Sequence, residues 1–207
     1  MLAWSIDAAR ASAYVDRLVL SSEDDAIAEV ARSAGCDVPF RRPAALATDD
    51  ASIYEVLKHA ATTLPERYDL IVLLQPSSPL REAADIYRGL ELLRDAAADS
   101  VISVTPAPKP PQWMYTLDRQ GCVKPVIPGQ STARRQDVAP VYVVNGALYA
   151  ASPTWLFERM SFVGERTVAY VMPPERSVDI DTMADFVLAE NLMASRVNEA
   201  ADQPVCG

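Results

Sequence analysis

The sequence predicts an α/β fold, with a mostly parallel sheet and helices on both faces. Three observations carry the prediction. Helix-period and strand-like segments alternate through the first half of the chain. The strand-like runs are continuously apolar, as in strands buried on both faces. They also end in small polar residues or proline before the next helix begins.

Taken in order, residues 2–13 read as an amphipathic helix, with Leu2, Ile6, Ala9 and Ala13 on its apolar side. Residues 17–22 are a short apolar run ending in Ser21 and Ser22, which reads as a buried strand. Residues 23–34 are helical, and Gly35 stops them at the usual C-terminal position. Residues 51–64 form a further helix. Residues 69–75 are the clearest buried strand, with Leu70, Ile71, Val72, Leu73 and Leu74 uninterrupted. A helix over 83–95 and a buried strand over 100–105 continue the rhythm. Pro106, Pro108, Pro110 and Pro111 then exclude a helix or a central strand, so about 106–140 reads as an irregular inserted arm. Strands resume over 141–150 and 167–172, and a helix over 181–194 follows. Residues 1–195 are expected to form one domain, and the polar stretch 196–207 a frayed tail.

The net charge of −9 argues against a nucleic-acid polymer as partner, because phosphate backbones are gripped by clustered basic side chains. It leaves room for a small phosphorylated ligand. Three widely spaced cysteines and one histidine make no zinc or disulfide framework, which suits a reducing cytoplasm. No segment approaches the roughly 20 apolar residues of a membrane helix.

In open α/β sheets, ligands bind beyond the carboxyl ends of the strands. Three segments there are unusually polar. The first is Gln75-Pro76-Ser77-Ser78-Pro79-Leu80-Arg81, which local chemistry alone reads as a strand-to-helix turn with a serine cap. In the second, Asp179-Ile180-Asp181, alternation points both carboxylates the same way, as a Mg²⁺ shared with phosphates requires. Asp181 is equally placed to cap the next helix. The third is Arg134-Arg135-Gln136-Asp137, where an arginine can grip a carboxylate or simply be solvated. Asn145-Gly146 interrupts an apolar strand, marking a ligand approach or a bulge.

These segments together resemble the CMP-N-acylneuraminate cytidylyltransferases, the CMP-sialic acid synthetases. The likeness lies in the order of Arg42-Pro43…Asp49…Ala51-Ser52, the 73–81 turn, Asn145-Gly146-Ala147-Leu148-Tyr149 and Arg176-Ser177-Val178-Asp179-Ile180-Asp181-Thr182. The resemblance implies a three-layer, Rossmann-like nucleotidyltransferase fold whose 106–140 arm serves dimerisation. It implies that CMP passes from CTP to an acidic nine-carbon sugar, with release of pyrophosphate. Asp179 and Asp181 would hold Mg²⁺ as catalytic residues, and Arg42, Ala51 and Ser52 would surround cytidine. Gln75, Asn145 and Arg135 would contact the sugar acid, Arg135 through its carboxylate. A cytoplasmic homodimer, free of membrane, is implied as well.

The chain departs from the family pattern in three places. Val143-Val144 stands where several members carry a basic sugar-holding residue, and Ile53 where some carry a second serine. The family's first strand and its Gly/Arg/Ser/Lys-rich phosphate loop have no counterpart, since the seven glycines make no phosphate-loop spacing. The sequence therefore anticipates a gap in the core, unpaired strand edges and weak turnover by these residues alone. A non-catalytic relative that binds a sugar acid or pairs with a longer subunit is the alternative. So is a cytidylyltransferase for pseudaminic, legionaminic or keto-deoxy acids.

Overall fold

The computed structural model describes residues 1–128 and 138–201. Its helices are α1 (Leu2–Arg10), α2 (Asp25–Ser33), α3 (Ile53–Thr63), α4 (Ala83–Asp95), α5 (Pro153–Arg159) and α6 (Met183–Ala201). Its strands are β1 (Ile71–Leu73), β2 (Ser100–Pro106), β3 (Tyr115–Leu117), β4 (Val123–Pro125), β5 (Tyr142–Ala151) and β6 (Thr167–Val171).

The main sheet has the order β1-β5-β2-β6. β1, β2 and β6 share one direction, and β5 runs against them between β1 and β2. The carboxyl ends of the three codirectional strands therefore meet the amino-terminal half of β5. That edge is where a ligand is expected.

Side chains alternate across the sheet, as the two-residue strand period requires. On one face Val72, Leu74, Val101, Leu148 and Ala150 pack against α1 and α4 through Ala9, Ile86 and Leu90. On the other, Ile71, Leu73, Ile102 and Ala151 pack against α3 and α5 through Leu57, Leu156 and Phe162. The result is three layers with two cores. Gly89 on α4 is part of this fit, since a Cβ there would sit 2.2 Å from Leu148 Cδ2.

The structure differs from the sequence reading in four places. Residues 17–22 form only one parallel bridge, Val19 with Asp37, rather than a full strand. The arm is not wholly irregular: β3 and β4 pair as an antiparallel hairpin around a turn in which Asp118 accepts from Gln120 and Cys122 N–H. α5 fills a stretch that the sequence reading left unassigned. Ser152 caps it and Pro153 opens it, both standard start signals. The tail expected to fray from Arg196 is helical to Ala201. Arg196 itself is anchored, with Nη1 donating to Leu80 O and Nη2 to Glu175 O, each at 2.9 Å.

Candidate active site

The first part of the site is the turn after β1. Ser78 is fully buried, and its hydroxyl donates to Asn145 O at 2.9 Å and reaches Asp179 Oδ1 at 3.4 Å. Gln75 N–H donates to Gly146 O at 3.4 Å. Arg81, 3% exposed, straps the turn to its surroundings. It donates to Ala147 O at 2.6 Å, to Ser5 Oγ at 2.7 Å and to Gln75 O. Burial pushes its pKa down to about 10, partly offset by attraction to Asp85 and Asp179. The turn is thus more than a capped helix start.

The second part is a bulge in β5. The β2–β5 register passes from Ile102↔Tyr149 to Val104↔Val144, so Ser103 alone faces the segment 145–148. Gly146 adopts φ +72°, and a Cβ there would sit 2.3 Å from Gln75 Oε1, 2.6 Å from Ser78 Oγ and 3.4 Å from Asp179 Oδ2. Asn145-Gly146 is the bulge that the sequence offered as one reading, and the groups that approach it closely are the protein's own. Three segments far apart in sequence bring polar atoms to this one point.

Asn145 is placed differently from the expected sugar contact. It is 2% exposed, and its Oδ1 accepts from Ser103 Oγ at 2.6 Å and from Ala147 N–H at 3.3 Å. Its Nδ2 donates to Ser177 Oγ at 2.8 Å. The amide is therefore committed to the protein, and it holds the Ser177 hydroxyl in place.

The third part is the segment 173–181 ahead of α6. Ile180 N–H donates to Ser77 O at 2.9 Å, which sets this segment beside the β1 turn. Asp179 is half-buried and Asp181 exposed, and neither carboxylate forms an ion pair among the described residues. Burial and the neighbouring Asp179 carboxylate push the Tyr149 hydroxyl up. The cap of α6 falls to a reciprocal pair, with Asp185 accepting from Thr182 N–H at 2.8 Å and Asp185 N–H donating to Thr182 Oγ1 at 3.3 Å. Asp181 is thereby free of the capping role.

Two adjacent carboxylates with no cationic partner are hard oxygen donors suited to Mg²⁺. No cluster of three or more His, Cys, Asp or Glu residues able to hold a metal occurs among the described residues. The donor set therefore fits a cation completed by a ligand's own oxygens, and not a closed protein cage.

Beside the turn lies a cavity of about 1170 Å³, bounded by residues 14–21 on one side and 66–77 on the other. Its apolar part includes Leu18, Leu20, Leu57, Leu64 and Leu70. Its polar part includes Ser21, Arg42, Gln75 and Ser77. Leu18 and Leu20 bond to Asp37 on one side, while Val19 N–H and C=O have no backbone partner among the described residues. Arg42 is held by Ser21, through Nε to its Oγ at 3.2 Å and through Nη2 to its carbonyl, with Glu23 at 3.9 Å. Ser52 precedes α3 without a side-chain capping bond, and Ile53 lines the cavity. Arg42, Gln75 and the start of α3 thus reach the same space. Arg135 lies outside the described residues.

Sequence reasoning missed Asp85 and Arg196, and quoted Arg176 in the 176–182 segment without giving it a role. Asp85 is 1% exposed and accepts from Arg176 twice, at 3.1 and 2.8 Å, and from Tyr170 Oη at 3.0 Å. The pair is 91 residues apart in sequence, and no local signal announces it.

A family model described as cytidylyltransferase matches residues 1–143. The chain is 32% identical over 189 residues to an N-acylneuraminate cytidylyltransferase of Streptococcus agalactiae serotype V, covering 90% of this chain and 45% of that protein. It thus spans about half the length of that relative. It is 32% identical over 198 residues to a CMP-N,N'-diacetyllegionaminic acid synthase of Legionella pneumophila, covering 93% of this chain and 84% of the other. Among solved structures, a CMP:2-keto-3-deoxy-manno-octonic acid synthetase complexed with CTP superposes with a TM-score of 0.66 at 14% identity, over 94% of this chain and 88% of that one. That likeness establishes the three-layer fold.

Proposed function

The chain belongs to the cytidylyltransferase family, and we propose from that premise that it transfers CMP from CTP to a sialic-acid-type sugar acid, releasing pyrophosphate. One observation carries the reading. Gln75, Ser78 and the Asp179 carboxylate converge on Gly146, and Gln75 also lines the cavity that Arg42 borders. A Mg²⁺ held by Asp179 and Asp181, together with phosphate oxygens, would supply charge neutralisation at the triphosphate. Arg42 lines the space assigned to cytidine, and by family resemblance Ala51 and Ser52 complete it. Gln75 and, by family resemblance, Arg135 orient the sugar acid, with Arg135 on its carboxylate. Asn145 acts one step back, through Ser177. The anomeric hydroxyl gives up its proton to solvent as its oxygen bonds to the α-phosphorus, the bond from that phosphorus to the α–β bridging oxygen breaks, and pyrophosphate departs with that oxygen. Positioning and charge supply most of such catalysis.

We further take the protein to be a cytoplasmic homodimer joined through the arm. Leu117 and Val123 on the hairpin are 69% and 65% exposed, apolar surface that a partner would cover. No helix among the described residues is long and apolar enough to cross a membrane.

A second reading, transfer to another nonulosonic acid, is favoured by the exposed Val143-Val144 pair in place of a basic residue and by the legionaminic relative. A panel of sugar acids, assayed for pyrophosphate release with CTP and Mg²⁺, separates the two. Turnover with N-acetylneuraminic acid supports the first reading, and turnover with legionaminic, pseudaminic or keto-deoxy acids alone supports the second. Binding of a sugar acid without pyrophosphate release from any of them would sink both and leave a non-catalytic binder.

A further inference from the structure

The segment that carries Asp179 and Asp181 is tied down from behind by α6, the helix it leads into. Arg196 lies fifteen residues beyond Asp181, and its guanidinium spans two pieces of backbone. Nη1 donates to Leu80 O, at the end of the β1 turn, and Nη2 to Glu175 O, at the start of the carboxylate segment, both at 2.9 Å. A nearby ion pair with Glu82 is longer, at 3.7 Å, and half of the Glu82 side chain is exposed, so it contributes little. Arg176, the residue after Glu175, is held in bidentate fashion by buried Asp85, itself on α4 directly after the turn. Both anchors grip the start of the segment, and further along it Ile180 N–H donates to Ser77 O at 2.9 Å, the contact that aligns the site.

We propose that Arg196 is a positioning residue: from α6 it clamps the β1 turn to the carboxylate segment, fixing Asp179 and Asp181 relative to Ser78 and Gly146. A planar guanidinium suits this task, since it can donate to two carbonyls at once in a fixed fork. A lysine can satisfy only one of them with comparable geometry. The clamp also gives α6 a reason to stay ordered through residues that are otherwise polar and terminal. This inference deepens the proposed function, because the carboxylates it positions are the ones assigned to the cation.

The test compares wild type, Arg196→Gln, Arg196→Lys and Glu82→Gln in the full 207-residue chain. The first readout is amide hydrogen exchange, which requires no substrate. Arg196→Gln should raise exchange at Ile180 by about tenfold or more, the range expected from losing a charge-assisted hydrogen bond. Exchange at Leu20, whose N–H bonds to Asp37 O on a distant segment, should not change. Arg196→Lys should fall between, and Glu82→Gln should match wild type. The lysine variant keeps the comparison available where the glutamine variant fails to fold. Unchanged exchange at Ile180, or equal acceleration at Ile180 and Leu20, would overturn the clamp.

The second readout is pyrophosphate release. The Mg²⁺ concentration giving half-maximal rate should rise about tenfold in Arg196→Gln while the KM for CTP stays constant. A wild type without turnover would sink the proposed function yet leave the exchange result standing. An active wild type with unchanged Ile180 exchange would overturn the clamp alone.

Discussion

The junction around Gly146 and the cavity beside it are neighbours built on opposite terms. At the junction, buried Ser78, Ser103 and Asn145 meet the half-buried segment before α6, and their polar atoms bond to one another. Ser78, Ser103 and Asn145 each have at least two partners there. In the cavity, β1 presents its outer edge, Val19 has backbone groups without partners, and apolar side chains face about 1170 Å³ of open space. Buried polar networks hold geometry when every member is satisfied, and underpacked apolar space tolerates change. The half of the site that needs fixed geometry is therefore the rigid half. The open half is where a ligand of nucleotide size has room.

That contrast predicts how stability responds to substitution. The heaviest loss belongs to Asp85→Ala, which strands Arg176 and Tyr170 and removes an acceptor at the start of α4. Urea unfolding should show a loss of about 3–5 kcal/mol. Gly146→Ala forces a side chain at φ +72° against Gln75 and Ser78. It should cost about 2–4 kcal/mol in the same assay. Equal truncations should then differ by region. Leu148→Ala, in the packed layer under α4, should cost about 3 kcal/mol, and Leu64→Ala, facing the cavity, about 1 kcal/mol. Equal costs would erase the distinction between the two regions.

The smallest effect concerns pH. Thr182 bonds hold the Asp185 carboxylate below its ordinary range. A depressed carboxyl contributes stability that is present above its unfolded-state pKa and is lost as pH falls through the folded one. Thr182→Ala should therefore lower stability slightly at neutral pH, leave it nearly unchanged below the folded-state pKa, and so flatten the acid side of the profile. Thermal melts across that range check it.

Much of this was legible in the sequence, and the reasons are physical. The 70–74 run and the 100–105 strand are apolar on both faces, a pattern that only a strand covered by two helical layers explains. The polarity of Asp179-Ile180-Asp181 marked a segment whose Asp179 carboxylate lies against Ser78 and Gly146. The direction of β5 was not legible, since an apolar run looks the same in either sense. Nor was the Asp85–Arg176 pair, where two ordinary surface-type residues meet only after the chain has crossed the sheet. Arg196 sits in a stretch whose polarity suggested fraying, and the carbonyls it reaches, Leu80 O and Glu175 O, are 116 and 21 residues away in sequence. Asn145 was recognised as important for its place in the strand, but its partners on Ser103 and Ser177 were hidden.

The central claim is that Asp179 and Asp181 together hold a divalent cation with the nucleotide's phosphates. A Mn²⁺ titration in the presence of CTP, followed by electron paramagnetic resonance, tests it directly on wild type and Asp181→Ala. The account predicts cation binding by wild type and an affinity at least about tenfold weaker in the variant, from loss of one of two carboxylate ligands. Equal binding by the two proteins, with the variant folded, would contradict it.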